Sequence, residues 1–491
     1  MRLLKLMECL KDKEIIYWGD NLEREILSLS TDSKDIEKGG LFFCLTGGKT
    51  DGHTYAKEAV EKGAIAIVTE RKLDLEVPQI LVPDSRSALS LLSAAFYGNP
   101  SQNMKIVGVT GTNGKTTTTY MLSAIFNTAG KKTGVIGTLG ITYDGKTYPC
   151  DLTTPDPIPL QKTLAKMYST GVEYVFMEVS AHALWYKKTH GIYFTACIFT
   201  NLSQDHLDFF SNMEIYKNTK KTLFGNNCKI AVLNDDDAVG RELAEELTAE
   251  KVWRYTLNND LETVTTVFEK NCRENEFSLH INGKIVNVVL PMVGRHNVYN
   301  ALAAATCATA LGIDAEIIRK ALSDFQGVEG RLERVGKYNG CEIFIDFAHT
   351  PDGISKVLEG LKTYSKRKTV CVFGCGGNRD KSKRPIMGER VAKLADFSVL
   401  TSDNPRFEDP LDIISDIEKG YRPHSLRYVV VPNRERALAY ALDLVKAGDV
   451  LLVAGKGGEK YQEIMGIKYP FEDKAIINKL IRERNGVAPE K

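Results

Sequence analysis

The sequence predicts an α/β protein of three domains, each built on a largely parallel sheet. Its 491 residues have room for about three domains at roughly 150 residues apiece. Short Val/Ile-rich runs alternate with helical patterns along almost the whole chain, as expected of buried parallel strands joined by crossover helices. Two stretches rich in turn residues, GNPSQNM at 98–104 and GVEGRLERVGKYNG at 327–340, interrupt that rhythm and read as linkers. The predicted domains are therefore 1–103, 104–330 and 331–491.

Taken in order, MRLLKLMECLKDKEIIYW reads as a short amphipathic first helix. Lys5 and Glu8 break its apolar stretch, and no small-residue cleavage site follows. KIVGVT (105–110) is a β-branched strand running into glycines and then into the helical TTTYMLSAIFNTAG. Further strands are expected at 174–180, 196–203, 229–234, 342–348, 369–377, 398–405, 428–433 and 449–458. Between Val264 and Leu290 the pattern partly alternates around Asn282-Gly283, which predicts an antiparallel ribbon. The weakly polar run at 301–313 is of buried-helix length.

Hydrophobic residues at 43% and charged residues at 26% exclude a disordered or collagen-like chain. The 64 Lys+Arg against 63 Asp+Glu leave a net charge of +1, so no global field points to nucleic acid or an anionic membrane. No run of 18 apolar residues predicts a membrane span. The 10 cysteines are scattered, with only Cys371 and Cys375 close together, as in a reduced intracellular protein. A cytoplasmic location and a monomer are expected.

The most informative segment is GVTGTNGKTTTTY (108–120). A strand enters Gly111-Thr112-Asn113-Gly114-Lys115-Thr116-Thr117 and a helix leaves it. Glycines let backbone N–H groups converge on an anion, the helix N-terminus adds its dipole, and lysine neutralises charge. Thr116 then offers a hydroxyl to Mg²⁺. The loop is a close variant of the usual phosphate-loop spacing, with Val109 where a glycine is customary. Downstream, Glu178 and His182 stand at one strand end, and Asp205, His206 and Asp208 at another. Carboxyl ends of parallel strands face a common crevice, so Lys115, Thr116, Glu178 and His206 are expected around one nucleotide. Taken alone, Glu178 could cap a helix, His206 could be a satisfied loop histidine, and Lys217, Lys220 and Lys221 would read as a solvated basic helix face.

Together GTNGKTT, EVSAHAL, FTNLSQDHLDFF, GRHNVYNALAAA, EGRLERV, DFAHTPDG, GCGGNRDKSKRPIMG, DNPR and GKGGEKYQ resemble the Mur ligase family, ATP-dependent amide-forming enzymes of peptidoglycan assembly. The resemblance implies a small α/β UDP-binding domain, a central P-loop ATPase-like parallel sheet and a C-terminal Rossmann-like domain that binds an amino acid. It is strongest to the branch that adds meso-2,6-diaminopimelate to a UDP-N-acetylmuramoyl-dipeptide. The resemblance implies that Thr31, Ser33, Gly48, Lys49 and Thr50 touch the uridine nucleotide, and that Thr153, Thr154, Ser180 and Lys188 hold the muramoyl-dipeptide end. Gly111–Thr117, Asn297, Arg331, Asp346 and His349 would bind ATP. Arg379, Asp403, Asn404, Pro405, Arg406, Gly455 and Glu459 would bind the amino acid.

Lys115, Glu178, His206 and Lys220 would be catalytic. Two Mg²⁺ ions are implied on Thr116, Glu178, His206 and a CO₂-derived carbamate of Lys220. The sequence departs from the family pattern at Tyr186 and Lys188, where Gln and Arg are usual, and at Gly458, which replaces a histidine. Lysine as the amino acid, a polyglutamate-type ligase and a P-loop ATPase switch stay open as alternatives.

Overall fold

The computed structural model describes residues 1–16, 23–48, 50–257, 264–271, 276–281 and 283–486, and groups them into two compact units. One comprises Met1–Thr110, Gly130–Cys197 and Thr219–Ala231; the other comprises Gly111–Ala129, Ile198–Asn218 and Val232–Lys491.

In the first unit an N-terminal sheet runs Glu14–Ile16, Gln79–Leu81, Ala64–Thr69, Gly40–Phe43, Ser28–Ser30, parallel except at the Glu14–Ile16 edge. Leu41, Phe43, Val68 and Ile80 project from it onto Leu3, Leu6 and Met7 of the first helix and Leu89 and Leu92 of helix Ser85–Phe96, making one buried cluster. The same unit holds Lys105–Thr110 beside Tyr174–Glu178, and Tyr174–Glu178 beside Thr133–Gly137, all parallel. Two short antiparallel strands, Gly140–Tyr143 and Lys146–Tyr148, extend that edge. Every residue of Tyr174–Glu178 and Thr133–Gly137 is buried, as the near-continuous apolar runs predict.

The segment expected as the first linker is instead a packed 3₁₀ turn, Pro100–Gln102, with Pro100 and Ser101 buried. Asn99 enters it with φ +50°, and the Tyr193 amide donates to Ser101 Oγ at 3.2 Å. Proline suits the first helical position because its missing N–H would go unpaired there anyway.

The second unit carries helix Lys115–Thr128 and the buried helix Arg295–Ala310. Val264–Asn271, Glu276–Ile281 and Lys284–Val289 form the expected antiparallel ribbon; Asn282 of its predicted turn lies outside the described residues. The C-terminal sheet runs Glu333–Tyr338, Cys341–Asp346, Val450–Ala454, Thr369–Phe373, Phe397–Leu400, Tyr428–Val430. All neighbours are parallel except the first pair. Much of the glycine-rich stretch read as the second linker is thus an edge strand. Its weak periodicity goes with a register shift between Arg334 and Gly336, and none of its residues is fully buried.

Candidate active site

Gly111 has φ +144° and Gly114 φ +89°. A Cβ on Gly111 would meet Thr200 Oγ1 at 1.9 Å, and one on Gly114 would meet Asn300 Oδ1 at 2.4 Å, so only glycine fits either place. The loop is stitched to residues 200–203. The Thr112 amide donates to the Asn201 carbonyl at 2.8 Å, Thr200 Oγ1 to the Asn113 carbonyl at 2.6 Å, and Thr112 Oγ1 to the Ser203 carbonyl at 3.1 Å. Lys115 Nζ curls back to the carbonyls of Gly111 and Thr112, both at 2.9 Å. That curl keeps the ammonium at the loop, on the helix N-terminal side where anions are favoured.

Three of the expected nucleotide residues come to this loop through the tertiary fold. Arg331 Nη2 donates to Thr116 Oγ1 at 3.0 Å while its guanidinium lies 4.3 Å from the centre of the Phe347 ring. Asn297 is buried and accepts from Asn300 Nδ2 at 3.1 Å, and Asn300 is the residue packed on Gly114. Asp346 accepts the amides of Leu332 at 2.6 Å and Ala348 at 2.7 Å, which shapes the chain around Arg331. Burial pushes the Asp346 carboxyl up, against the pull of Arg331 and those two amides.

His206 and His349 meet on a residue outside the expected set. The buried Asp205 carboxylate lies 3.3 Å from His206 Nε2, 3.8 Å from His349 Nε2 and 3.5 Å from Lys383 Nζ. Burial works against its charge, but hydrogen bonding and charge from His349, with Lys383 and His206 beside it, hold it well below the usual carboxylate range.

The residues expected to bind an amino acid gather at the carboxyl ends of the parallel C-terminal strands: 374–379 follow Thr369–Phe373, 403–406 follow Phe397–Leu400, and 455–459 follow Val450–Ala454. Gly455 has φ +111°, and a Cβ there would meet Asp403 Oδ2 at 2.4 Å. Asn404 Nδ2 donates to Glu459 Oε2 at 2.9 Å. Pro405 turns its carbonyl against Gly377, where a Cβ would come within 1.9 Å. Arg406 Nη1 donates to the Gly377 carbonyl at 2.9 Å. Arg379 stands apart, exposed, with a 3.5 Å contact to its neighbour's carbonyl. The fully buried Lys456 joins the group, donating to Asn404 Oδ1 and Glu459 Oε2, both at 3.0 Å.

In the first unit Thr153, Thr154, Glu178 and Ser180 form one cluster. Glu178 is opposite Val109 in the sheet and accepts from the Thr138 amide at 2.8 Å and Thr138 Oγ1 at 3.2 Å. Gly137 must be glycine, since its Cβ would meet Glu178 Oε1 at 2.2 Å. Thr154 Oγ1 donates to the Glu178 carbonyl at 2.9 Å, and Thr153 Oγ1 lies 3.1 Å from Thr138 Oγ1. Ser180 caps the helix Ala181–Trp185.

Lys188 is taken up by Asp156 at 2.7 Å, and Tyr186 lies under the Arg86 guanidinium at 4.5 Å. Ser33 Oγ donates to Glu58 at 2.9 Å, Thr31, Gly48 and Thr50 are exposed, and Lys49 lies outside the described residues. Lys220 is 1% exposed, which overturns the solvated-face reading; Lys217 pairs with Glu214 and Glu242 instead.

No group of three or more His, Cys, Asp or Glu among the described residues is disposed to hold a metal ion. Cys371 and Cys375 are buried core thiols, the latter pushed up by burial to about 12. A nucleotide-borne Mg²⁺ still fits: such ions need one or two protein oxygens and take the rest from phosphates and water. Thr116 supplies a hydroxyl. Glu178 is a buried carboxylate served by the amide and hydroxyl of Thr138, with no ion pair to a described Lys or Arg.

Asn300, Asp205 and Lys456 were each within quoted motifs, and Asn300 is three residues from Asn297 on one helix face. Their partners lie elsewhere in the chain.

A glycine loop of phosphate-binding type and a polar set at parallel strand ends lie within one unit, as in a ligase that uses a nucleotide. Family models cover most of the chain: Mur ligase family, catalytic domain, over 25–97; Mur ligase middle domain over 109–308; and Mur ligase, glutamate ligase domain, over 330–457. The chain belongs to the Mur ligase family.

The UDP-N-acetylmuramoyl-L-alanyl-D-glutamate–2,6-diaminopimelate ligase of Bacillus velezensis is 41% identical over 493 residues, 99% of this chain and 100% of that one. That of Geobacillus kaustophilus is 42% identical over 99% and 100% of the two chains. A solved ligase of the same name has a TM-score of 0.69 at 29% identity, covering 98% of this chain and 99% of its own. Folylpolyglutamate synthase from Mycobacterium tuberculosis, solved with ADP and AMPPCP, has a TM-score of 0.63 at 18% identity over 83% and 96%, a likeness of fold.

Proposed function

We propose that the chain joins meso-2,6-diaminopimelate to UDP-N-acetylmuramoyl-L-alanyl-D-glutamate at the expense of ATP, acting in the cytoplasm as a monomer. The observation that carries this reading is the set Asp403, Asn404, Arg406, Gly455 and Glu459, three of them charged, gathered at strand ends in the unit that also holds the glycine loop. In the reading, residues 1–103 take the uridine nucleotide, 104–330 take ATP and 331–491 take the amino acid. Full-length relatives of that name at about 40% identity support the choice of substrates.

A carboxylate is a poor acyl donor, so ATP phosphorylates it to an acyl phosphate, and the amine of the diamino acid displaces phosphate through a tetrahedral intermediate. In this reading Lys115 and the loop hold the phosphates, and Arg331, whose Nη2 donates to Thr116 beside the loop, offsets charge on the transferring group. Thr153, Thr154 and Ser180 hold the acceptor end beside Glu178. Thr116, Glu178, His206 and a Lys220 carbamate would hold two Mg²⁺ ions, which offset phosphate charge when bound. The burial of Lys220 supports a role inside the protein rather than on a solvated face, as the carbamate requires. Positioning supplies much of the rest, and no side-chain nucleophile is required.

The distal carboxylate of meso-diaminopimelate calls for a planar donor fork, which Arg406 offers. Lysine would bring an ammonium to that guanidinium and leave the fork unpaired, a cost of about 2–5 kcal/mol, or roughly 30- to several-thousand-fold. The test is an amino-acid panel with the UDP-dipeptide and ATP, scored by product mass and by phosphate released. Meso-diaminopimelate is expected to be strongly preferred, with phosphate released only when both acceptors are present. Equal kcat/KM for L-lysine would refute the assignment.

A further inference from the structure

We infer that Glu463 is a positioning residue for the incoming amino acid: its carboxylate holds the Nε edge of Arg406 and so aims the remaining edge of that guanidinium at the distal carboxylate. The inference rests on the reading above that Arg406 takes that carboxylate.

Arg406 has φ +51°, a left-handed conformation that a long L side chain adopts only when its surroundings impose it. The surroundings here are the strand Tyr461–Ile464, paired antiparallel with Ile467–Pro470. The Arg406 amide donates to the Glu463 carbonyl at 3.0 Å, and the Met465 amide donates to the Arg406 carbonyl at 2.7 Å. The Glu463 amide donates to Asn404 Oδ1 at 2.9 Å, and Gln462 Nε2 to the Asp403 carbonyl at 2.7 Å. The strand is therefore laid along residues 403–406, the same residues that supply the charged set.

The side chains repeat the pairing. Arg406 Nε donates to Glu463 Oε2 at 3.0 Å, and Nη1 donates to the Gly377 carbonyl at 2.9 Å. The backbone of Gly376 faces the guanidinium, where an added Cβ would lie 3.0 Å from Nη1. Nη2 forms no hydrogen bond to a described residue. Arg406 and Glu463 are 17% and 22% exposed, so the pair is neither sealed from water nor fully screened by it. A guanidinium has two donor edges suited to a carboxylate. Glu463 takes Nε and the Gly377 carbonyl takes one Nη1 hydrogen, which leaves Nη2 and the second Nη1 hydrogen for a ligand. Without Glu463 the guanidinium can turn about its last torsions, and the fork is no longer set before the substrate arrives.

This device acts on one amino acid and not on the other. L-lysine has no distal carboxylate and does not use the fork, so its kcat/KM should not depend on how Arg406 is held. The experiment compares wild type, Glu463→Ala and Glu463→Gln in the full-length enzyme. It measures kcat/KM for meso-diaminopimelate and for L-lysine, and KM for ATP. In Glu463→Ala, kcat/KM for meso-diaminopimelate is expected to fall roughly 10- to 30-fold, mainly through KM. L-Lysine and ATP should change by no more than about twofold. Glu463→Gln keeps an oxygen for Nε and should recover most of the loss, which also separates positioning from misfolding.

If wild type selects meso-diaminopimelate and Glu463→Ala keeps that selectivity, the inference is overturned and the functional reading stands. A parallel fall for both amino acids, with no recovery in Glu463→Gln, would mean that Glu463 merely builds the hairpin, and also overturns it. A wild type without preference removes the functional reading, and the inference with it.

Discussion

Removing Asp473 should loosen the C-terminal sheet at the strand ends that lead into Asp403 and Gly455. Asp473 and Arg434 are both 0% exposed and bind through two bonds, Nε to Oδ1 at 2.8 Å and Nη2 to Oδ2 at 2.7 Å. The same guanidinium donates to the carbonyls of Ala454 at 3.0 Å and Ser402 at 3.4 Å, the residues immediately before Gly455 and Asp403. One buried ion pair therefore ties the helices Arg434–Leu444 and Asp473–Arg484 to two strand ends that present the charged set. Asp473→Ala leaves a guanidinium that can neither reach water nor lose its proton, at a cost of about 3–5 kcal/mol. Such a cost corresponds to about a 10²- to 10⁴-fold loss of amide protection in the two helices, one decade for each 1.4 kcal/mol. Hydrogen exchange read by mass spectrometry on peptides from 434–444 and 473–484 measures it directly. Arg434→Met combined with Asp473→Ala removes both charges and should be more protected than Asp473→Ala alone. A loss below tenfold in Asp473→Ala, or a double variant worse than the single one, would refute the reasoning.

Lys115→Ala and Glu178→Ala should each remove turnover while leaving the thermal midpoint near wild type, because neither side chain belongs to a hydrophobic core; near-normal turnover in either variant takes that residue out of the catalytic set. Lys220→Ala should nearly abolish ligation, and added short-chain carboxylates should restore part of it by replacing an oxygen ligand; full activity without them would sink the carbamate. The Arg384 fork, at 2.9 and 3.0 Å, outweighs partial burial and draws the Glu408 carboxyl down to about 2, with the Asn378 amide and Lys381 beside it. A lowered folded-state value means stability that is complete above the usual glutamate range, about 4.3, and lost as pH falls toward about 2. The gap in urea midpoint between wild type and Glu408→Gln should therefore close across that window, and a gap constant with pH would contradict the assignment.

The strand, glycine loop and helix of 105–128 were legible because their order is local. Strand 105–110, the glycines at 111 and 114, Lys115 and the helix that follows are chain neighbours, whereas Thr200, Asn201 and Asn300, which pack on the loop, are not. The parallel strands were legible for a related reason, since a strand buried on both faces needs an unbroken apolar run. Even so, the edge strand Glu333–Tyr338 read as a linker, because an edge covered on one side needs no such run. Lys220 read as part of a solvated face because helical spacing places lysines without saying what covers them, and tertiary packing buries it.

Side-chain partnerships were the other blind spot. Arg331 reaches Thr116 across 215 residues, Asn113 reaches Asp352 across 239, and Arg406 meets Glu463 across 57. The sequence by itself determined the fold class, the phosphate loop and the residues that carry charge, since these follow from composition, period and local order. Only the tertiary structure decided which charges meet and which donors of each are taken up by the protein. Those outcomes depend on how distant segments pack, and no local propensity encodes that.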